Sequence, residues 1–154
     1  MSAQRKFSVV RADAAASTAI TYIQVATPAT TVIDVTRAWA AQRSSTTSAM
    51  QQFTLLTTAT AATVTSQAAI SLETSGPASL CVNGTTATGV NASIEGGTKV
   101  TLYDDSPNVL NGWLYLPVPE ERATIKPSFF VGLNAPQAPG GQTWRMGLNF
   151  IELV

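Results

Sequence analysis

The residues best equipped for chemistry are few. Two neighbouring carboxylate pairs, Asp104-Asp105 and Glu120-Glu121, carry the acid/base potential, and Cys81 is the single thiol. A carboxylate pair could serve glycoside hydrolysis or hold calcium. Adjacent residues of a strand point to opposite faces, however, so neither pair makes a dyad by itself. "DDSPN" also lacks the spaced oxygen ligands of a calcium loop, and the expectation is solvated turn residues. The sequence contains no histidine, which removes Ser-His-Asp and Cys-His machinery and a Cys/His zinc site. No GxxxxGK[ST] and no strand-GxGxxG-helix appears, so nucleotide binding has no support. No cofactor or metal is expected. A lone cysteine cannot form an intramolecular disulfide, and the simplest reading of Cys81 is a small buried apolar residue. "NGT" at Asn83 and "NAS" at Asn91 match the glycosylation acceptor pattern but read as turns. Trp39, Trp113 and Trp144 could form a sugar-stacking platform; spread over separate strands, they read as core or subunit-interface residues.

The surroundings of these residues are unusual in charge. Nine basic and nine acidic residues cancel, and charged residues make up 12% of 154, against roughly 25% in ordinary domains. A balanced charge argues against a nucleic-acid partner. A sparsely charged surface rich in Thr, Ser and Ala suits a protein packed against copies of itself or a partner. The N-terminal stretch lacks the apolar core of a signal peptide, and no apolar run reaches the ~20 residues of a membrane span. Neither export by that route nor a membrane partner is therefore expected.

The dominant hydrophobic period is two. "TTVIDVTRAWAAQ" places Ile33, Val35, Arg37 and Trp39 on one side of an extended chain and Val32, Asp34, Thr36 and Ala38 on the other. "AITYIQVAT", "QQFTLL", "SLCVN", "TKVTLYD", "VLNGWLYLPV", "KPSFFVGLNAP" and "TWRMGLNFIELV" also read as strands. They are punctuated by Pro28, Gly76-Pro77, Asn83-Gly84 and Gly96-Gly97. The reading is all-β: an antiparallel β-sandwich of about eight strands, with a jelly roll as one candidate arrangement. Residues 1–18 are expected to form an N-terminal arm, residues 19–154 a single sandwich domain, and Ala59 to Ser79 a long loop. "NVLNGWLYLPVPEER" (Asn108 to Arg122) reads as a strand with Trp113 and Tyr115 on one face and Leu114 and Leu116 on the other. Two apolar faces suggest a central strand, or one face meeting another subunit. Pro117 and Pro119 then stop it.

The segment "NVLNGWLYLPVPEERATIKPS", with "VGLNAP" and the C-terminal "MGLNFIELV", resembles small virion structural proteins of tailed bacteriophages, of the capsid decoration or cement kind. The resemblance covers roughly Asn108 to Val154, with further support in "VNGTTAT" near Asn83. The first half departs from it: "WAAQRSSTTSAMQQF" keeps Gln42 and Ser44-Ser45 of an otherwise acidic pattern. The resemblance implies a non-enzymatic protein made in the host bacterial cytoplasm and found in the virion, on the outside of the head. It further implies a symmetric homo-oligomer, a trimer by expectation, bound to the major capsid protein. A tail or head-tail component is the alternative within the particle, and a carbohydrate-binding β-sandwich module the alternative of another class. The interface residues expected are Phe7, Val9 and Val10 on the arm, with Trp39, Trp113 and Tyr115.

Overall fold

The computed structural model describes residues 4–44 and 48–154; Ser45 of the resemblance and the first three residues of the expected arm lie outside them. The chain forms β1 (Gln4–Ala15), β2 (Thr21–Ala26), β3 (Val32–Gln42), β4 (Phe53–Thr58), β5 (Thr63–Ser66) and β6 (Ile70–Ser71). It continues with β7 (Gly89–Ile94), β8 (Lys99–Asp105), β9 (Trp113–Tyr115), β10 (Ala123–Ile125), β11 (Phe130–Asn134) and β12 (Thr143–Leu153). Among the described residues one 3-10 turn occurs, at Pro119–Glu121. These twelve strands build two antiparallel sheets, ordered β10-β3-β12-β1-β6, with β9 also beside β3, and β5-β7-β2-β11-β4-β8. The expected β-sandwich is therefore present, with more and shorter strands than eight. β5 and β6 lie inside the stretch read as a long loop.

The expected arm is the main correction. Gln4–Ala15 is an internal strand of the first sheet, paired with β12 on one side and β6 on the other. Phe7, Val9 and Arg11 are buried between the sheets. Alternation over Phe7–Val10 was there to be read, but the Ala-rich, charged "RADAAAS" that follows masked it; Ala12 and Asp13 are the exposed part of the same strand.

The two sheets meet through aromatic and branched side chains. Phe53 of β4 wedges between Trp144, edge-on at 5.0 Å, and Trp113, at 5.8 Å. Phe7 packs on Phe150 at 5.7 Å. β2 is buried on both faces. On its outer face the Gln24 amide is satisfied by the main chain, accepting from Ala62 N and donating to Ala87 O.

A β-bulge decides which face of β3 is which. Asn149 pairs with Arg37, whereas Phe150 pairs with Val35. Thr36 is thus the extra residue, and an extra residue reverses the alternation beyond it. Ile33 and Val35 point inward; past the bulge the inward residues are Ala38 and Ala40. Arg37 and Trp39 therefore face out, not alongside Ile33 and Val35 as strict alternation predicts.

Two outcomes follow from this architecture. Deleting residues 1–18 removes the strand that fills the sheet's interior, so the truncated chain should lose its cooperative thermal transition by circular dichroism; a melt like that of the full chain would overturn the assignment. The second concerns Glu95. Its carboxylate accepts from Thr21 N at 2.6 Å and Thr21 Oγ1 at 2.8 Å, and pairs with Lys99 at 2.6 Å. Burial is the largest single influence and pushes its pKa up, but these donors together outweigh it and hold the carboxyl below its ordinary 4.5. A folded-state pKa below the unfolded one gives stability that is present above the unfolded value and lost as pH falls through the folded one. Glu95→Gln should therefore flatten the acid limb of urea midpoints measured below about pH 5; an unchanged limb would count against this anchor.

Candidate interface

Asn108 to Arg122 is built onto the edge of the first sheet. A turn comes first: Asn108 O accepts from Asn111 N, and Asn108 Oδ1 accepts from Leu110 N at 3.0 Å. Gly112 follows at φ +70°, where a Cβ would sit 2.8 Å from Ala40 O. Only glycine meets both demands cheaply. β9 then pairs Trp113, Leu114 and Tyr115 with Ala40, Trp39 and Ala38. β10 pairs with Val35, Asp34 and Ile33 farther along the same strand. The two are one edge strand, interrupted by Leu116–Arg122 opposite the Thr36 bulge. "VLNGWLYL" is thus an edge strand and not a central one; the prolines, which cannot donate to a ladder, suit an edge.

Trp113 and Tyr115 point into the core, where Tyr103 meets Tyr115 at 5.0 Å and Trp113 at 6.1 Å. Burial, with smaller contributions from Glu121 and Tyr103, raises the pKa of the Tyr115 phenol and keeps it neutral. Leu114 and Leu116 point the other way and are 51% and 66% exposed. Leu114 separates two hollows. One, of about 380 Å³, is a groove lined by Leu102, Tyr103, Leu114, Leu116, Pro117 and Glu121 among others. A second bulge, in β8, opens this groove: Leu55 pairs with Tyr103 and Leu56 with Thr101, leaving Leu102 unopposed. Leu102 and Tyr103 therefore both line the groove, although they are neighbours in sequence. The other hollow, of about 220 Å³, is lined by Arg37, Trp39, Asn111 and Leu114 among others.

One register row crosses the outer face of this sheet: Leu114 beside Trp39, Trp39 beside Gly147, Gly147 beside Val10. The Trp39 indole lies over Gly147, so that a Cβ on the glycine would come within 2.4 Å of Nε1. The Arg37 guanidinium stands 5.8 Å from the indole ring. The row makes a flat apolar stripe continuous with the groove wall.

The structure thus divides the expected interface residues. Val10 and Trp39 are half-buried and share the outer row; Phe7 and Val9 are core side chains; Trp113 and Tyr115 are largely buried, yet Tyr115 borders the larger groove and Trp113 the smaller hollow. Sequence reasoning passed over Leu102, Leu114 and Leu116; the apolar second face of "GWLYL" was the one available signal. The carboxylates do not converge. Asp104 accepts from Gln52 and Thr54, Asp105 from Ser106 N, and Glu120 and Glu121 lie in the exposed 3-10 turn. Asp104 and Asp105 end β8, so they are strand and not turn residues. Among the described residues no group of three or more His, Cys, Asp or Glu is placed to hold a metal ion. Cys81 is buried, and burial followed by the nearby Glu152 pushes its thiol pKa far up, which makes it a poor nucleophile. Asn91 lies within β7 at φ +53° and accepts from the Arg11 Nε, so "NAS" is a strand and not a turn.

The molecule is an antiparallel β-sandwich with an apolar edge and face left open. No family model, curated protein or solved structure matches the chain.

Of the three tryptophans Trp39 is the most exposed; Trp113 touches the same hollow but is 3% exposed, and Trp144 is fully buried. Acrylamide should quench chiefly the emission of Trp39, and Trp39→Phe should remove most of the quenchable fraction. Gly147→Ala should push the indole off the sheet, raising the quenching and lowering stability by roughly 1–3 kcal/mol. Equal quenching with and without Trp39 would contradict this placement.

Proposed function

We propose that this chain is a non-enzymatic structural protein of a bacteriophage particle, a decoration protein that binds the major capsid protein on the outside of the head and stabilises it. The observation that carries this reading is the pair of solvent-facing leucines, Leu114 and Leu116, on a groove that the protomer leaves uncovered. They fall within the segment that resembles phage virion proteins. Low surface charge removes the usual guard against association.

The mechanism is burial of side chains and not strand addition. The N-terminal segment is already used inside its own sheet, and Pro117 and Pro119 interrupt the edge beside the groove. Burying an exposed leucine contributes about 1.5–3 kcal/mol. A stable specific contact covers ~800 Å² per partner, and repetition over a lattice multiplies such contacts through effective concentration.

A second reading rests on Trp39. A half-buried indole seated on Gly147 in a hollow with Arg37 and Asn111 has the make-up of a single sugar-stacking subsite. The paired platform first considered is not formed, because Trp113 and Trp144 are in the core. Saturable quenching of Trp39 by a saccharide would favour that binding-module reading.

The test of the main reading is co-sedimentation with phage heads lacking this protein. Leu114→Asp and Leu116→Asp together should weaken occupancy roughly 100-fold while circular dichroism stays unchanged, since both side chains are exposed. Undiminished occupancy would overturn the proposed surface, and no binding by the unaltered protein would overturn the function.

A further inference from the structure

The first sheet carries a second uncovered apolar site on its opposite edge. β6 pairs with β1 through Phe7 opposite Ser71 and Ser8 opposite Ile70, and Leu72 N donates to Lys6 O. Phe7 faces the core, so Ser71 does too, and Lys6, Ile70 and Leu72 project from the outer face. Ile70 is 63% and Leu72 55% exposed. β3, β12 and β1 lie between this edge and β9, a span of about 19 Å at ~4.8 Å per strand. A projecting apolar pair thus stands at one edge of this sheet, and at the other edge a groove of mixed polar and apolar lining opens between β9 and β8 of the second sheet.

Their charges are of opposite sign. Glu121 lines the groove, with Glu120 exposed beside it and Arg122 half-buried behind. The projecting edge carries exposed Lys6 and half-buried Arg5, with Glu73 one residue beyond Leu72. Pairing groove with groove about a two-fold axis brings two acidic rims, each with Glu120 and Glu121, into one contact. Pairing projection with projection brings Lys6 of both copies into one contact. Only the unlike pairing sets acid against base as well as apolar against apolar, and like-charge juxtaposition is how interfaces reject the wrong partner.

We infer that the occupant of the groove is a second copy of this chain, docked head to tail, its Ile70 and Leu72 seated between Leu114 and Leu116 and its Lys6 beside Glu121. The inference rests on the assembly reading above and deepens it: each copy offers one groove and one projection, so the contact propagates until rotation closes a ring. Subunit number is set by that rotation. With the groove filled by a neighbouring copy, Leu114 and Leu116 act on head occupancy through the multivalency of the assembly, and the outer row of Val10 and Trp39, between the two contacts, faces the particle.

Mixing separates this arrangement from any symmetric one. Ile70→Cys and Leu116→Cys variants of the full chain, both changed at exposed positions, are treated with a short bis-maleimide, singly and mixed; Cys81 is buried and does not compete. The mixture should give a cross-linked dimer and neither variant alone should do so. In light scattering, Lys6→Glu or Glu121→Lys should each raise the dissociation constant about tenfold at low salt, and the double variant should recover. Equal cross-linking of one variant with itself, a multimer indifferent to both charge changes, or a monomer at every concentration would overturn the inference. The head-binding assay is read separately. A chain that sediments with heads but fails the mixing test keeps the particle function and loses this contact. One that cross-links as predicted but ignores heads does the reverse.

Discussion

The ladder of β1, β12 and β3 is the constraint on which the remaining structure hangs. β12 pairs with β1 over ten residue pairs and with β3 over ten more. Its inward side chains, Trp144, Met146, Leu148 and Phe150, form much of the floor of the core. β9 and β10 attach to β3 alone, and β6 to β1 alone, within this sheet. The leucines of β9 and the Ile70–Leu72 projection are therefore carried by one three-stranded slab, which fixes their separation, while the far wall of the groove comes from β8 of the second sheet.

Two charged residues are consumed inside that slab. Arg11 donates to Ala14 O, Ala15 O and Trp144 O, reaches Asn91 on the other sheet, and lies 4.9 Å from the Tyr22 ring. Its bonds to Ala14 and Ala15 satisfy carbonyls at the point where the β1 register shifts, between Arg11 and Ala14. Glu152 accepts from Ser79 Oγ, Leu80 N and Cys81 N, and so draws residues 79–81 against the end of β12. Arg11 is met by main-chain carbonyls and a neutral amide without an ion pair, whereas the Glu152 donors all converge on Oε1 and leave Oε2 buried without a partner. A chain with few charges to begin with thus shows still fewer on its surface, and apolar contact has correspondingly little to oppose it.

Strands were legible in the sequence where alternation and turn residues agreed, as in "TYIQV", "FTLL" and "WRMGLNFI". Bulges were not, because an extra residue such as Thr36 or Leu102 has no composition of its own; it is defined by its neighbour strand. That is why Trp39 was placed on the wrong face. The first strand was misread for a different reason: a buried arginine looks like a surface charge until its carbonyl partners are known. In the candidate site, the opposition of Trp113 and Tyr115 to Leu114 and Leu116 was readable. Which pair faced inward depended on the packing of Phe53 and Tyr103 across the gap, and no local pattern encodes that.

The pairing of β1 with β12 also sets the timing of biosynthesis. Ser8 and its partner Asn149 are 141 residues apart, so at ~5–20 residues per second the first strand waits about 7 to 30 seconds for the one it lies against. Until then neither β1 nor β3 can enter the slab, and Phe7, Val9, Ile33 and Val35 have no permanent cover. The nascent chain is consequently open to capture by chaperones until β12 emerges to close the middle of the sheet.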